Sequence, residues 1–287
     1  HELVLCLCFG SSRPKLAQSV SPHQIVLPMN DFKKTYDARA RRLLINFWLY
    51  NVGVLALIAL LISSWSAKFL VPSLILVLLI GTLLTKFLLM RANKLVMAEI
   101  GGVQSSEQSA PRLFNLLGSI CMSTGVALPA VRVIDSETNN LAVTELNKGI
   151  VNFSVTQGLL ENSSLIELEA LLAASIARVS SNEARHSSLA VMTIGLPLLV
   201  KQNGTTIDKI LTLHCLPLSA AQRRLRKELN NDRDFHADSA GVGVTRYPPG
   251  LISAFEKFGP TSNIDSSFGS SPLWAINADS DEYGRPE

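Results

Sequence analysis

Charged residues are scarce in this chain. Lys, Arg, Asp and Glu make up 17% of its 287 residues, against about 25% in a soluble domain. With 47% hydrophobic residues and a mean hydropathy of +0.27, the deficit points to a membrane protein. The net charge of +3 is too small for a nucleic-acid surface, so no nucleic-acid partner is expected. Four cysteines (Cys6, Cys8, Cys121, Cys215) form neither a CxxC pair nor a paired framework and read as incidental thiols. There is no Gly-x-Ser-x-Gly, and nothing sets a Ser or Cys near a His. Gly101-Gly102 and Gly241-Val-Gly243 lack a phosphate-loop pattern. No internal repeat is evident.

What the chain does have is long apolar runs. Leu43 to Ser63 is 21 residues without a charge, and Phe69 to Met90 is 22 with only Lys86. Each matches the roughly 20 residues that cross a hydrocarbon core. The link Ser64 to Lys68 is short, so the spacing predicts a transmembrane helical hairpin within 31–95, with the lipid bilayer as its partner. Trp48, Tyr50 and Trp65 are candidates for the interfacial belt. Lys33, Lys34, Arg39, Arg41 and Arg42 precede the hairpin and Arg91 and Lys94 follow it, while the loop carries only Lys68. The positive-inside rule therefore places both ends and everything downstream in the cytoplasm. Asn46 and Asn51 are expected to hydrogen-bond between helices. Residues 1–30, with three prolines, read as a flexible tail. An initial His marks the chain as an expected fragment or processed product.

Downstream, Ala98 to Ser109 reads as a polar linker. Pro111 to Gly125 has the spacing of an amphipathic helix, with Leu113, Leu116, Leu117, Ile120 and Cys121 on one face. Val131 to Ile134 is a short strand. Gly149 to Gly158 alternates β-branched or aromatic residues with polar ones and reads as a second strand, with Val151, Phe153 and Val155 on one face. Ser164 to Val179 reads as a buried helix that opens on a capping box, Ser164 with Glu167. Leu189 to Val200 and Ile210 to Leu218 are shorter apolar runs. They are expected to form either a shallow second membrane hairpin at 188–218 or core helices.

Thr156-x-Gly-Leu-Leu-Glu161, Glu169-Ala-Leu-Leu-Ala173 and Pro249-Gly-Leu-Ile-Ser-Ala-Phe-Glu-Lys257 resemble segments of the HtpX-like membrane zinc metallopeptidases, in the same order. The resemblance covers roughly residues 31–287. It implies an α+β, mainly helical fold. In it a zincin-like peptidase domain at 96–287, with a small sheet, follows the hairpin. It also implies zinc as the family's cofactor and polypeptides as substrates or partners. In the family the helix after Glu-Ala-x-Leu-Ala carries His-Glu-x-x-His, and a later Glu-x-x-x-Asp supplies the third ligand. Here the first pattern reads Ala174, Ser175, Ile176, Ala177, Arg178, and the second reads Asp234 to Asp238.

That departure changes the chemistry. A catalytic zinc needs three protein ligands and an open position for water, and its glutamate activates that water. Ala174 and Arg178 cannot ligate, and Ser175 is no general base at neutral pH. A guanidinium about 5 Å from a divalent ion would be repelled by roughly 7 kcal/mol at an effective dielectric near 20. An Arg178–Asp234 ion pair is the expected occupant of that space. His186, His214 and His236 remain as donors, but no pair has a helical His-x-x-x-His spacing, so no zinc is expected. The resulting expectation is a non-catalytic pseudopeptidase of a bacterial inner membrane. It would hold unfolded or membrane-protein segments, or an active protease, with the strand carrying Val151, Phe153 and Val155 as an edge for peptide pairing. The alternative is an active zinc endopeptidase with an unrecognised ligand set.

Overall fold

The computed structural model describes residues 29–63, 70–147, 149–212, 215, 217–229, 232–262 and 269–276. Residues 1–28 of the expected N-terminal tail and the hairpin loop with Trp65 and Lys68 lie outside them, and Met29 and Asn30 already belong to the first helix. The fold is mainly helical with one small mixed sheet.

Two helices lead, α1 (Met29–Ser63) and α2 (Leu70–Ile100), and both are long and apolar enough to cross a membrane. Their 35 and 31 residues give about 52 and 46 Å at 1.5 Å per residue, well beyond the roughly 30 Å of a hydrocarbon core. The excess belongs to the domain. Tyr36, Ala40 and Leu43 of α1 and Leu88, Ala92, Val96 and Ile100 of α2 are buried, whereas Leu57, Leu61, Ile75 and Leu83 are more than half exposed. Gly81 lets the helices touch: a Cβ there would lie 2.7 Å from Val52 Cγ2. Trp48 Nε1 donates to Thr82 Oγ1 across the pair at 3.1 Å. Asn51 donates to Phe47 O one turn back in its own helix.

The remainder follows as β1 (Val103–Gln104), α3 (Pro111–Thr124), β2 (Ala130–Ile134), β3 (Leu141–Asn147), β4 (Ile150–Thr156), α4 (Gln157–Asn162) and α5 (Leu165–Ser180). Then come α6 (Glu183–Thr193), α7 (Leu196–Asn203), α8 (Thr206–Leu211), α9 (Leu218–Glu228), α10 (Asp232–Thr245) and α11 (Pro248–Phe258). The segment expected to be a linker from Ala98 is helical to Ile100, because Val96 and Ile100 are core residues. α3 closes at Gly125 in the left-handed region (φ 70°), and its buried face is Leu113, Leu117, Ile120 and Cys121. α6 is a buried core helix, and with α7 and α8 it has 11, 8 and 6 residues, each under the length of a span.

Sheet order is β1-β2-β4-β3, with β4 parallel to β2 and antiparallel to β3. One core fills the space between the sheet, α3, α5 and α11, around Phe153, Val155, Leu168, Leu171, Ile176 and Phe258. A second joins the base of α2 to α6, α7 and Trp274, so the hairpin base and the domain share one interior.

Candidate functional site

α5 begins where its sequence says it should. The Ser164 hydroxyl accepts from the Glu167 N–H, and the Glu167 carboxylate accepts from the Ser164 N–H at 2.8 Å. Glu167 is buried and also accepts from Ser253 at 2.8 Å and Lys257 at 3.1 Å on α11. Burial pushes its carboxyl up, but these hydrogen bonds outweigh it and hold the group at about 2. The capping box thus also docks α11 onto the start of α5.

The motif positions lie in the second half of α5, where every residue from Ala170 to Val179 is buried. Ala174 is covered by α10: a Cβ at Gly241 would lie 2.5 Å from Ala174 Cα. The two helix backbones therefore approach as closely as glycine allows, and this contact sets α10 and Asp238 beside α5. The Ser175 hydroxyl is buried with no hydrogen-bond partner among the described residues. Arg178 turns back to the next helix. Its Nε is 2.5 Å and its Nη2 3.3 Å from the carboxylate of Glu183 on α6, and Nη2 also donates to Pro272 O at 3.0 Å. Glu183 accepts from the Ser187 hydroxyl at 2.6 Å. The pair is buried, with side chains 6% and 2% exposed.

Sequence reasoning had offered Asp234 as the partner of Arg178 and missed Glu183. The two residues are five apart and straddle a helix end, with Asn182 in the left-handed region (φ 62°), so no helical spacing pointed to them. The side chain of Asp234 and all of His214 lie outside the described residues. Asp238 is half-buried on α10.

The two described histidines have partners on other elements. His186 is buried on α6, with Nε2 3.1 Å from Glu228 and its ring 5.7 Å from that of Tyr36. The hydrogen bond from His186, opposed by burial and helped by Arg39 and Arg42, holds the Glu228 carboxyl below its ordinary value. His236 is exposed and stacks against Phe32 at 4.5 Å. Among the described residues no three His, Cys, Asp or Glu side chains come together. The residues at the motif positions do not fit a catalytic zinc: Ala174 has no donor atom, and Arg178 brings a cation where a ligand would stand.

The strand expectation needs correcting. β4 is not an edge. Phe153 pairs with Val131 on one side and Val143 on the other, and Phe153 and Val155 are fully buried while Val151 is half-buried. Strand addition needs a free row of N–H and C=O groups, and β4 has none. The edges are β1, two residues long, and β3, and the chain's own residues cover β3. Ala142 bridges Trp274, Ala275 N–H donates to Leu141 O, and the Asn140 amide bonds both the N–H and the C=O of Ile276. Farther along, the Glu145 N–H donates to Ser188 Oγ.

No family model matches the chain, and no solved structure matches it. Curated proteins named Protease HtpX homolog do. The one from Dictyoglomus turgidum is 24% identical over 206 residues, covering 65% of this chain and 67% of the relative. One from Streptococcus agalactiae is 24% identical over 207 residues, covering 64% and 69%, and one from Streptococcus pneumoniae is 24% identical over 210 residues, covering 64% and 70%. The chain is similar to the HtpX proteases. The mainly helical fold, the small sheet and the two apolar helices agree with that family. α5, the helix expected to carry the metal motif, has a capping box and a buried core face, with Ala174, Ser175 and Arg178 at the expected positions.

Proposed function

We propose that this chain is a non-catalytic HtpX-like membrane protein that works by holding polypeptides. The observation that carries the reading is the buried Arg178–Glu183 pair at the position of the motif's second histidine, with Ala174 at the first. An arginine whose charge is neutralised inside the fold stabilises the helix without metal. The general base is gone with the ligands, and its loss alone typically costs 10²–10⁴ in rate. The basic residues outside both ends of the hairpin support a cytoplasmic domain on the inner face of a bacterial plasma membrane.

With β4 internal, β3 covered and the other edge strand, β1, only two residues long, peptide capture does not run by strand addition. It runs through the hairpin, whose exposed rows, Leu57, Leu61 and Leu83 among them, can pack against a membrane-protein segment or the membrane helices of an active protease. An Arg178–Asp234 contact alongside the Glu183 pair belongs to the same proposal. The test is proteolysis in liposomes with added zinc, using an unfolded model polypeptide and the full chain. No cleavage above background is expected. Cleavage that a zinc chelator abolishes, and that Asp234→Ala also abolishes, would overturn the reading.

A further inference from the structure

A cavity of about 500 Å³ opens where the hairpin meets the domain, between α1, α2, α6 and the end of β3. No residue of α5 lines it. Its volume is in the range of small-ligand sites. Its lining is mixed: Trp48, Leu89, Leu189 and Met192 are apolar, and Lys86, Asn93, Glu145 and Arg185 are polar or charged. Lys86 is the single charge in the second apolar run. Ionisable residues within membrane helices are rare and mark functional sites.

The charges within the cavity sort cleanly. Arg185 is paired with Asp37 at 2.5 Å, so those two cancel. Lys86 is exposed and makes no ion pair among the described residues. Glu145 is buried, and its carboxylate accepts one hydrogen bond, from Gly149 N–H at 3.1 Å. What is left is one cation and one anion in the wall of a largely apolar groove. The Trp48–Thr82 hydrogen bond lies on the side toward the lipid-exposed part of the hairpin. Between Thr82 and Asn93, both lining residues, the rise along α2 is about 16 Å.

We infer that this cavity is a binding site for a zwitterionic phospholipid with a primary ammonium headgroup, phosphatidylethanolamine. The phosphate meets Lys86, the ammonium donates to Glu145, and an acyl chain lies along Trp48, Leu89 and Leu189. The groove is continuous with the bilayer-facing surface of the hairpin, so the lipid enters without leaving its layer. A polypeptide fits less well. It would bring an N–H and a C=O per residue, and the strand edge at the wall is already used, Glu145 N–H by Ser188 and the other side of β3 by β4. A phosphatidylcholine headgroup has no donor for Glu145, and a phosphatidylglycerol headgroup carries net negative charge beside it.

The inference rests on the hairpin lying in a bilayer. Resistance to alkaline carbonate extraction tests that separately. The experiment is native mass spectrometry of the full chain released from nanodiscs containing equal phosphatidylethanolamine, phosphatidylcholine and phosphatidylglycerol. One phosphatidylethanolamine per chain is expected to be retained, preferred about tenfold over phosphatidylcholine, the worth of one charge-assisted hydrogen bond. Glu145→Gln is expected to remove the preference, and Lys86→Gln to lower retention of all three lipids while its thermal unfolding midpoint stays that of the parent. Equal retention of the three lipids, preference for phosphatidylglycerol, a preference unmoved by Glu145→Gln, or retention unmoved by Lys86→Gln would overturn the assignment. So would a photo-crosslinker at Leu89 that captures polypeptide and no lipid.

Discussion

Replacing Arg178 with alanine tests what holds the helix together in the absence of ligands. The Arg178 side chain is 6% exposed and that of Glu183 2%. The pair is two-pronged, at 2.5 and 3.3 Å. Removing the arginine takes its contacts away from the buried Glu183 carboxylate and from Pro272 O, while the Ser187 hydroxyl stays at 2.6 Å. Breaking a buried pair from one side costs about 3–5 kcal/mol, because the remaining charge has lost its compensation. For a chain of this size that corresponds to a midpoint lowered by roughly 10 °C. The assay is thermal unfolding in detergent, followed by tryptophan fluorescence, since Trp274 lies two residues from Pro272. Arg178→Leu combined with Glu183→Leu is expected to recover most of the loss, as buried pairs replaced by apolar side chains often do. A loss below about 1 kcal/mol for Arg178→Ala, with Asp234→Ala strongly destabilising, would refute the assignment of Glu183 as the compensating charge.

Gly241→Val is expected to destabilise by about 2 kcal/mol or more, since even a Cβ lands 2.5 Å from the Ala174 backbone; denaturant titration reads it, and Gly243→Val, which meets nothing within 4 Å, is the control. Phe153→Asp should prevent folding outright, because Phe153 is fully buried in an internal strand. Soluble, membrane-extracted Phe153→Asp protein with a parental unfolding midpoint would contradict the sheet order. Glu167 supplies the pH dependence. Its folded pKa, about 2 against 4.5 ordinarily, is depressed, so its contribution is present above the unfolded value and disappears as pH falls from about 4.5 to about 2. Lys257→Ala removes one of the hydrogen bonds that hold the carboxyl down, and the acid unfolding midpoint should move to higher pH. An unchanged midpoint would count against that role for the Lys257 bond.

Most of the architecture was legible because it is written in local patterns. The two apolar runs, the face of α3 and the capping box of α5 each follow from a spacing and a chemistry within one segment. β3 was not legible. Residues Leu141 to Leu146 are all buried, so the strand shows none of the polar alternation that reveals a half-exposed one, and β4 was mistaken for the edge in its place. At the site, the absence of ligands at Ala174 and Arg178 was plain from residue identity alone. The Glu183 partner was not, because it depends on a turn at Asn182 that reverses the chain. The phospholipid cavity was invisible for the same reason: Lys86, Glu145 and Arg185 meet only once the hairpin base is joined to the domain.

The central claim is that this helix has exchanged metal chemistry for a buried ion pair. Elemental analysis of the detergent-purified chain after incubation with zinc and removal of excess tests it most directly. Fewer than about 0.1 zinc per chain is expected, because ligand loss on this scale abolishes binding. Close to one zinc per chain, retained by the parent and lost in Asp234→Ala, would contradict it.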